Sequence, residues 1–349
     1  LLEIILFCSS LRLSQYSNQK KDEAYFMALL KTVQSTPGLY FSYETDITLN
    51  FQRRCKLVEG WMAKPIWKQA DPRFVWNRNL LDELIEYKLD GFIIPLIQGK
   101  ILNLLICYQK LKGLSATLTI VSRRCTWHLG TRMWRRGANL HGDVANFIET
   151  ERLVEIEGFQ SSLLQIRGSI LLLWEQIVDL SYKPQLRIIT HEQTSNVVER
   201  HFFDLLQRYG ETMAVDLTDK HDDEGQLSTA FSAEMQNLPN VRYVSFDFHH
   251  VCGNSNFENL KVLYEEISEQ FEKLGYVLVD AKGNTPEEQK GIVRSNCIDC
   301  LDRTNVTQSY LAQMSLDAQL QRTGVLDSFE SISMFAQDYQ TFRDVGGAR

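Results

Sequence analysis

Proline is scarce in this sequence, 7 in 349 residues, and the 19 glycines follow no period. That excludes a collagen-like or proline-rich extended chain. Long apolar runs are also missing. The most apolar stretch, Gly91 to Tyr108 (GFIIPLIQGKILNLLICY), is interrupted by Pro95, Gln98, Lys100 and Asn103. It reads as buried strands broken by a turn, not as a bilayer helix. The opening LLEIILF has 7 residues and an internal Glu3, too short for the core of a secretory signal. Positive charge is in deficit: 37 Lys and Arg against 44 Asp and Glu give a net charge of −7. Nucleic-acid binding through overall basicity is thereby excluded. The 7 cysteines, at 8, 55, 107, 125, 252, 297 and 300, are odd in number and scattered. They make no disulfide framework and point to a reducing compartment.

What remains is an ordinary globular composition, 44% hydrophobic and 23% charged, long enough for two domains. Tyr40 to Leu49 and Phe92 to Ile97 are strand-like, and Asn79 to Leu89 is helix-like. Lys110 to Thr117 (KLKGLSAT) is a break. It divides the chain into an N-terminal α+β portion, residues 1–112, and a portion 113–349 in which strands and helices alternate. Leu118 to Val121, Leu186 to Thr190, Met213 to Leu217, Val241 to Phe248 and Tyr276 to Val279 are strand-like. Ser195 to Tyr209 and Val262 to Leu274 are amphipathic helices stopped by Gly210 and Gly275. A short strand, Gly291 to Arg294, precedes a helix from Asn305 to Leu320, with Val306, Tyr310, Leu311 and Met314 on one side and Gly324 as its stop. The expected fold is α/β, a mixed sheet flanked by helices.

Between that last strand and helix lies Arg294 to Thr304, RSNCIDCLDRT. Cys297 is followed six positions later by Arg303 and then by Thr304. A helix start offers unpaired N–H groups and a positive dipole end, which bind an anion and lower a thiol pKa. A thiolate there can attack a phosphate whose oxygens the Arg303 fork holds. Thr304 can donate its hydroxyl to the sulfur and help it leave. Asp299 or Asp302 can protonate the departing alkoxide and later activate water. The loop N–H groups would hold the phosphate, which makes Arg294, Asn296, Ile298, Cys300, Leu301 and Asn305 substrate-binding candidates. Cys297-x-x-Cys300 could also be half a zinc site or a redox pair, but no second C-x-x-C or H-x3-H is present.

Ser122 to Gly137 (SRRCTWHLGTRMWRRG) holds arginines at 123, 124, 132, 135 and 136, interleaved with Trp127 and Trp134. This stretch is either a face for anionic lipid headgroups or a charged strand edge. Arg132 and His249, the latter at a strand end, join the substrate-binding candidates. His249 and Arg167 either orient a catalytic group or serve the core. His249, His250 and Cys252 fall short of a metal site.

The string RSNCIDCLDRTN resembles the active-site motif of the Sac-domain phosphoinositide phosphatases, R-x-N-C-x-D-C-L-D-R-T-N, at every fixed position from Arg294 to Asn305. Further blocks are similar to the family: Tyr40 to Leu49 with Gln52-Arg53, Phe74 to Asn77 with Leu80-Leu81, Ile94 to Gly99, Val144 to Glu151, Gln165 to Ile170 and Asp247 to His249. The resemblance implies a phosphoinositide phosphatase that works without a cofactor on phosphatidylinositol phosphates, phosphatidylinositol 4-phosphate foremost. It also implies a plant-like endomembrane type, at the cytoplasmic face of the endoplasmic reticulum or Golgi. Its partners would be phosphoinositide headgroups at a membrane surface and not nucleic acid. By analogy with the myotubularin loop, Asp302 is favoured over Asp299 as the acid. Leu171 stands where the family usually has Pro, and its Trp-rich segment does not follow Leu320. The sequence also does not begin with Met. The expectation is a catalytic domain truncated at its C-terminal end. A truncated, inactive lipid- or partner-binding module and a protein-tyrosine phosphatase are the alternative readings.

Overall fold

The computed structural model describes residues 19–35, 37–57, 60, 63–107, 115–130, 136–156, 158–177, 185–253 and 256–334. The chain divides into two units, Leu1–Leu49 with Leu57–Lys100, and Asn50–Lys56 with Ile101–Arg349. The 112/113 boundary expected above lies outside the described residues.

The first unit carries helix α1 (Gln19–Ser35) and the two-residue strand β1 (Leu39–Tyr40). Asn50, at the start of the second unit, caps helix α2 (Phe51–Cys55) by accepting from Arg53 N. Helices α3 (Ile66–Gln69) and α4 (Arg78–Glu86) return to the first unit, whose core is Val75, Leu81 and Ile93 packed with Trp67, Ala70, Leu84 and Ile85. Two strand expectations fail here. Residues 41–49 form turns, tied by the Asp46 carboxylate accepting from Thr48 N and Oγ1. Asp90–Phe92 is a 3-10 turn, so the strand begins only at Ile97. From there β2 (Ile97–Cys107) is one strand, not two broken by a turn.

In the second unit, β2 is followed by β3 (Ser115–Arg124), β4 (Ile148–Ile156), β5 (Phe159–Ser169), β6 (Trp174–Gln176) and β7 (Leu186–Ile188). Then come α5 (Thr194–Tyr209), β8 (Glu211–Asp216), α6 (Asp222–Met235), β9 (Val241–Ser245), α7 (Phe248–Val251), α8 (Leu260–Leu274), β10 (Val277–Val279), β11 (Gly291–Cys297) and α9 (Asp302–Arg322). The main sheet runs β2-β3-β4-β5-β11-β8-β9, with β10 also on β5. β3, β4 and β5 form an antiparallel meander, while β5, β11, β8 and β9 pair in parallel. This is the mixed α/β sheet expected from the alternation of elements.

Strand β4 (IETERLVEI) gives no apolar alternation because three of its four charged groups, Glu149, Glu151 and Arg152, are buried. Arg123 donates to Glu149 at 3.0 Å and Glu151 at 2.7 Å, all three fully buried. The Tyr209 hydroxyl also donates to Glu149. This corrects the reading of the 122–137 stretch as one basic face, since Arg123 and Arg136 are both buried.

Helix α5 buries Val197, Val198, His201, Phe202, Leu205 and Tyr209, one stripe at helical spacing. It ends at Gly210, whose φ of +83 suits glycine. A Cβ there would also lie 2.1 Å from Lys290 O. Helix α9 is buried along two faces. Leu311 joins the cluster of Val215, Phe248, Ile267 and Val293, while Ala312, Leu316 and Leu320 pack on Leu118, Val154 and Leu163.

Candidate functional site

Strand β11 is buried at every residue and lies between β5 and β8, parallel to both. Cys297 pairs with Ser169, the last residue of β5, and Asn296 with Asp216, the last of β8. Three strands thus end at one edge of the sheet. The chain turns through 298–301 and enters α9 at Asp302, so that helix's unpaired N–H groups face the turn. Cys300 makes the turn possible with φ +57, a left-handed conformation rare outside glycine. Ser169 Oγ donates to Ile298 O and Asn146 Nδ2 to Asp299 O, which ties the outer carbonyls down.

The Cys297 sulfur accepts from Cys300 N at 2.9 Å and donates to Asp299 Oδ1 at 3.5 Å. Burial pushes the Cys297 thiol up, and its bond to Cys300 and the charges of Cys300 and Asp299 add to this, against Arg303. Burial also works against ionisation of Cys300, but its bonds to Cys297 and the charges of Arg294 and Arg167 outweigh it and pull that thiol down. The two sulfurs, in contact with one another, titrate as a pair and not singly.

Arg303 is held at one end of its fork. Nη1 donates to Glu224 Oε2 at 2.7 Å and to Leu217 O at 3.2 Å, and Nη2 to Glu224 Oε1 at 3.2 Å. Asp219 Oδ1 lies 3.6 Å from Nη1. Burial lowers the guanidinium's pKa, but the Glu224 bonds and the charges of Cys297, Glu224 and Asp219 raise it above its ordinary value.

Thr304 is buried and donates its hydroxyl to Leu301 O at 3.2 Å, not to the sulfur. Asp302 is exposed at the helix start, while Asp299 accepts from Leu301 N. Leu301 is exposed and Ile298 half-buried. The Asn305 side-chain oxygen accepts from Arg167, and its backbone N–H donates to Leu301 O. Arg132 lies outside the described residues.

Arg294 and Asn296 are fully buried beneath the loop. Arg294 donates to Ser169 O, Asn296 Oδ1 and His201 Nε2. Burial lowers its pKa to about 10. His201 accepts at Nε2, so it donates from Nδ1 to Gly142 O and is neutral. Asn296 passes the chain on to Asp216, which also accepts from Thr218, Ser228, Tyr243 and Lys220.

His249 sits just beyond β9, which ends at Ser245 and not at Phe248 as expected. Asp247 stops the strand by capping α7, accepting from His250 N. His249 Nδ1 contacts Asp219 at 2.7 and 2.9 Å, so His249 and Arg303 share one carboxylate.

Sequence reasoning missed Asp216, Asp219, Glu224 and His201. Asp219 and Glu224 fall in the acidic run TDKHDDEG, which reads as a solvated turn, and Asp216 closes the strand-like stretch Met213 to Leu217. His201 carried a signal, because it lies on the apolar stripe of α5. Among the described residues, no group of three or more His, Cys, Asp or Glu could hold a metal ion, and no helix is long and apolar enough to cross a membrane.

The SacI homology domain (Syja_N) matches residues 2–253. The chain is 67% identical over 329 residues to the phosphoinositide phosphatase SAC8 of Arabidopsis thaliana, covering 94% of this chain and 55% of that protein. It is 46% identical over 332 residues to the phosphoinositide phosphatase SAC7 of the same plant, again 94% and 55%. To the phosphatidylinositol-3-phosphatase SAC1-B of Danio rerio it is 36% identical over 312 residues, 88% of this chain and 53% of that one. The chain spans about half the length of the curated relatives it matches. On the family match over residues 2–253 and on these relatives, the chain belongs to the SacI homology domain family.

Proposed function

We propose that this protein hydrolyses the phosphate monoester of phosphatidylinositol phosphates through a phospho-cysteine at Cys297. The observation that carries the reading is the placement of Cys297 at the end of β11, facing a helix start, with the Arg303 guanidinium beside it. Cys297 as thiolate attacks phosphorus while Arg303 and loop N–H groups take the equatorial oxygens. The bond to the inositol oxygen breaks, and that oxygen takes a proton from Asp302, the acid favoured over Asp299. Water, losing its proton to the same carboxylate, then attacks phosphorus and the electron pair of the S–P bond returns to sulfur. Thr304 steadies the leaving sulfur once its hydroxyl turns from Leu301 O. His249, Ile298 and Leu301 border the headgroup, and Arg132 remains a substrate-binding candidate from the sequence alone. Arg294, Asn296, Cys300 and Asn305 fix the loop that receives it.

Phosphatidylinositol 4-phosphate is the favoured substrate, acted on at the cytoplasmic face of endoplasmic reticulum or Golgi membranes. The names of the plant relatives support the substrate class, and the zebrafish relative's name carries a 3-phosphatase. The test is phosphate release from short-chain 3-, 4- and 5-monophosphate isomers in EDTA. Turnover that is fastest on the 4-isomer and abolished by Cys297→Ser is expected. Activity surviving that change sinks the mechanism, and strict dependence on added metal sinks the cofactor-free chemistry.

A further inference from the structure

Arg303 is nine-tenths buried, and its side chain offers five N–H donors in one plane. Three are accounted for: two on Nη1, to Leu217 O and Glu224 Oε2, and one on Nη2, to Glu224 Oε1. The Nε–H and the second Nη2–H have no protein partner among the described residues. These two lie parallel along one long edge of the guanidinium, the edge that meets two oxygens of a phosphate.

Glu224 is well placed to fix that edge. It stands in the first turn of α6, which follows β8, while Arg303 stands in the first turn of α9, which follows β11. β8 and β11 are paired in parallel, so both helix starts lie at the same edge of the sheet. The Glu224 carboxylate is in turn steadied by Asp219 N, which donates to Oε2. Arg303 and Cys297 lie close enough for each charge to act on the other's titration.

Resting on the phosphatase reading, we propose that Glu224 is a positioning residue, holding one end of the Arg303 fork so that its free Nε–Nη2 edge is presented to the substrate phosphate. Glu224 touches no reacting atom. Its action is to hold Arg303 in the phosphate-ready rotamer before the substrate arrives, so that less rotamer freedom is lost on binding. A carboxylate that merely competed with phosphate for the fork would act in the opposite direction, and the two roles differ in sign.

The experiment measures kcat, KM and the competitive inhibition constant of inorganic phosphate for the full chain and for Glu224→Gln, Glu224→Asp, Arg303→Lys and the Glu224→Gln/Arg303→Lys double variant. Thermal melts run alongside, and Glu224→Asp carries the comparison if Glu224→Gln folds poorly. Presentation of Arg303 predicts that phosphate inhibition weakens about tenfold in Glu224→Gln, as for one lost charge-assisted bond. It also predicts a fall in kcat/KM and little added loss in the double variant over Arg303→Lys, because the two residues act as a unit. Unchanged or tighter phosphate inhibition in Glu224→Gln overturns the proposal, as does an additive double variant. A wild-type chain that neither binds phosphate nor turns over substrate overturns the phosphatase reading and this inference together, which a loss confined to the Glu224 variants does not.

Discussion

The backbone amide of Cys300 donates to the sulfur of Cys297 at 2.9 Å. This bond uses the left-handed turn at Cys300 to aim an N–H at the nucleophile. The two thiols also act on each other directly: burial, the side-chain bond to Cys300 and its charge push Cys297 above the ordinary thiol range, while burial of Cys300 is outweighed by its bonds to Cys297 and the charges of Arg294 and Arg167, which pull it below.

Thiolate absorbance followed from pH 5 to 11, as the difference between the wild-type chain and a variant with both Cys297 and Cys300 replaced by Ser, should therefore show one step below and one above that of a free thiol. With Cys300 replaced by Ser, the low step should vanish. The high step should move down, because the charge and hydrogen bond of Cys300 both raise Cys297. Two unshifted thiols would contradict the coupling.

Asp216 is fully buried and accepts from Asn296, Thr218, Ser228, Tyr243 and Lys220. Asp216→Asn puts an amide where Oδ2 meets the Ser228, Tyr243 and Lys220 donors. A loss of about 3 kcal/mol in urea unfolding is expected. Tyr243 reports on it independently. Its phenol titrates above the ordinary range, because it is buried and faces the Asp216 carboxylate. In Asp216→Asn its absorbance step should move to lower pH, with burial still holding it above a free tyrosine.

Arg123→Leu would leave Glu149 and Glu151 buried without their cation. We expect about 3–5 kcal/mol of destabilisation by urea unfolding. Binding of the folded fraction to anionic vesicles should not change, because the guanidinium is already out of reach of a lipid. Weaker vesicle binding at full stability would restore Arg123 to a surface role.

Gly210→Ala meets two obstacles, a positive φ and a Cβ driven against Lys290 O at 2.1 Å. About 2 kcal/mol or more should be lost in unfolding experiments, with KM for substrate unaltered because Gly210 lies at the opposite end of β8 from the cysteine loop.

Elements whose burial follows a period were legible from the residues. Val198, Phe202 and Leu205 marked α5, and Gly210 and Gly275 marked helix ends. The strand–turn–helix around Cys297 was equally plain. Three kinds of structure were not. Strand β4 carries Glu149, Glu151 and Arg152 into the core, so charge hides its burial. The groups facing Arg303 come from an acidic run whose only sequence signature is that of a solvated turn. The end of β9 is decided by Asp247, which caps a helix of four residues too short to show a period. In the first two cases a polar side chain made a long-range bond that no local pattern encodes.

The parallel run of β5, β11 and β8 gives the two edges of the sheet different duties. Ser169, Cys297 and Asp216 end their strands at one edge, where the reacting groups gather. Glu211 and Gly291 begin theirs at the other, where close backbone packing permits little change: a Cβ at Gly291 would meet Glu211 O at 2.1 Å. Exposed positions at the first edge, Leu301 and Asp302 among them, can change without cost to packing. Variants there should lose catalysis while melting normally, whereas variants at Gly210 or Gly291 should melt early while the surviving fraction still works.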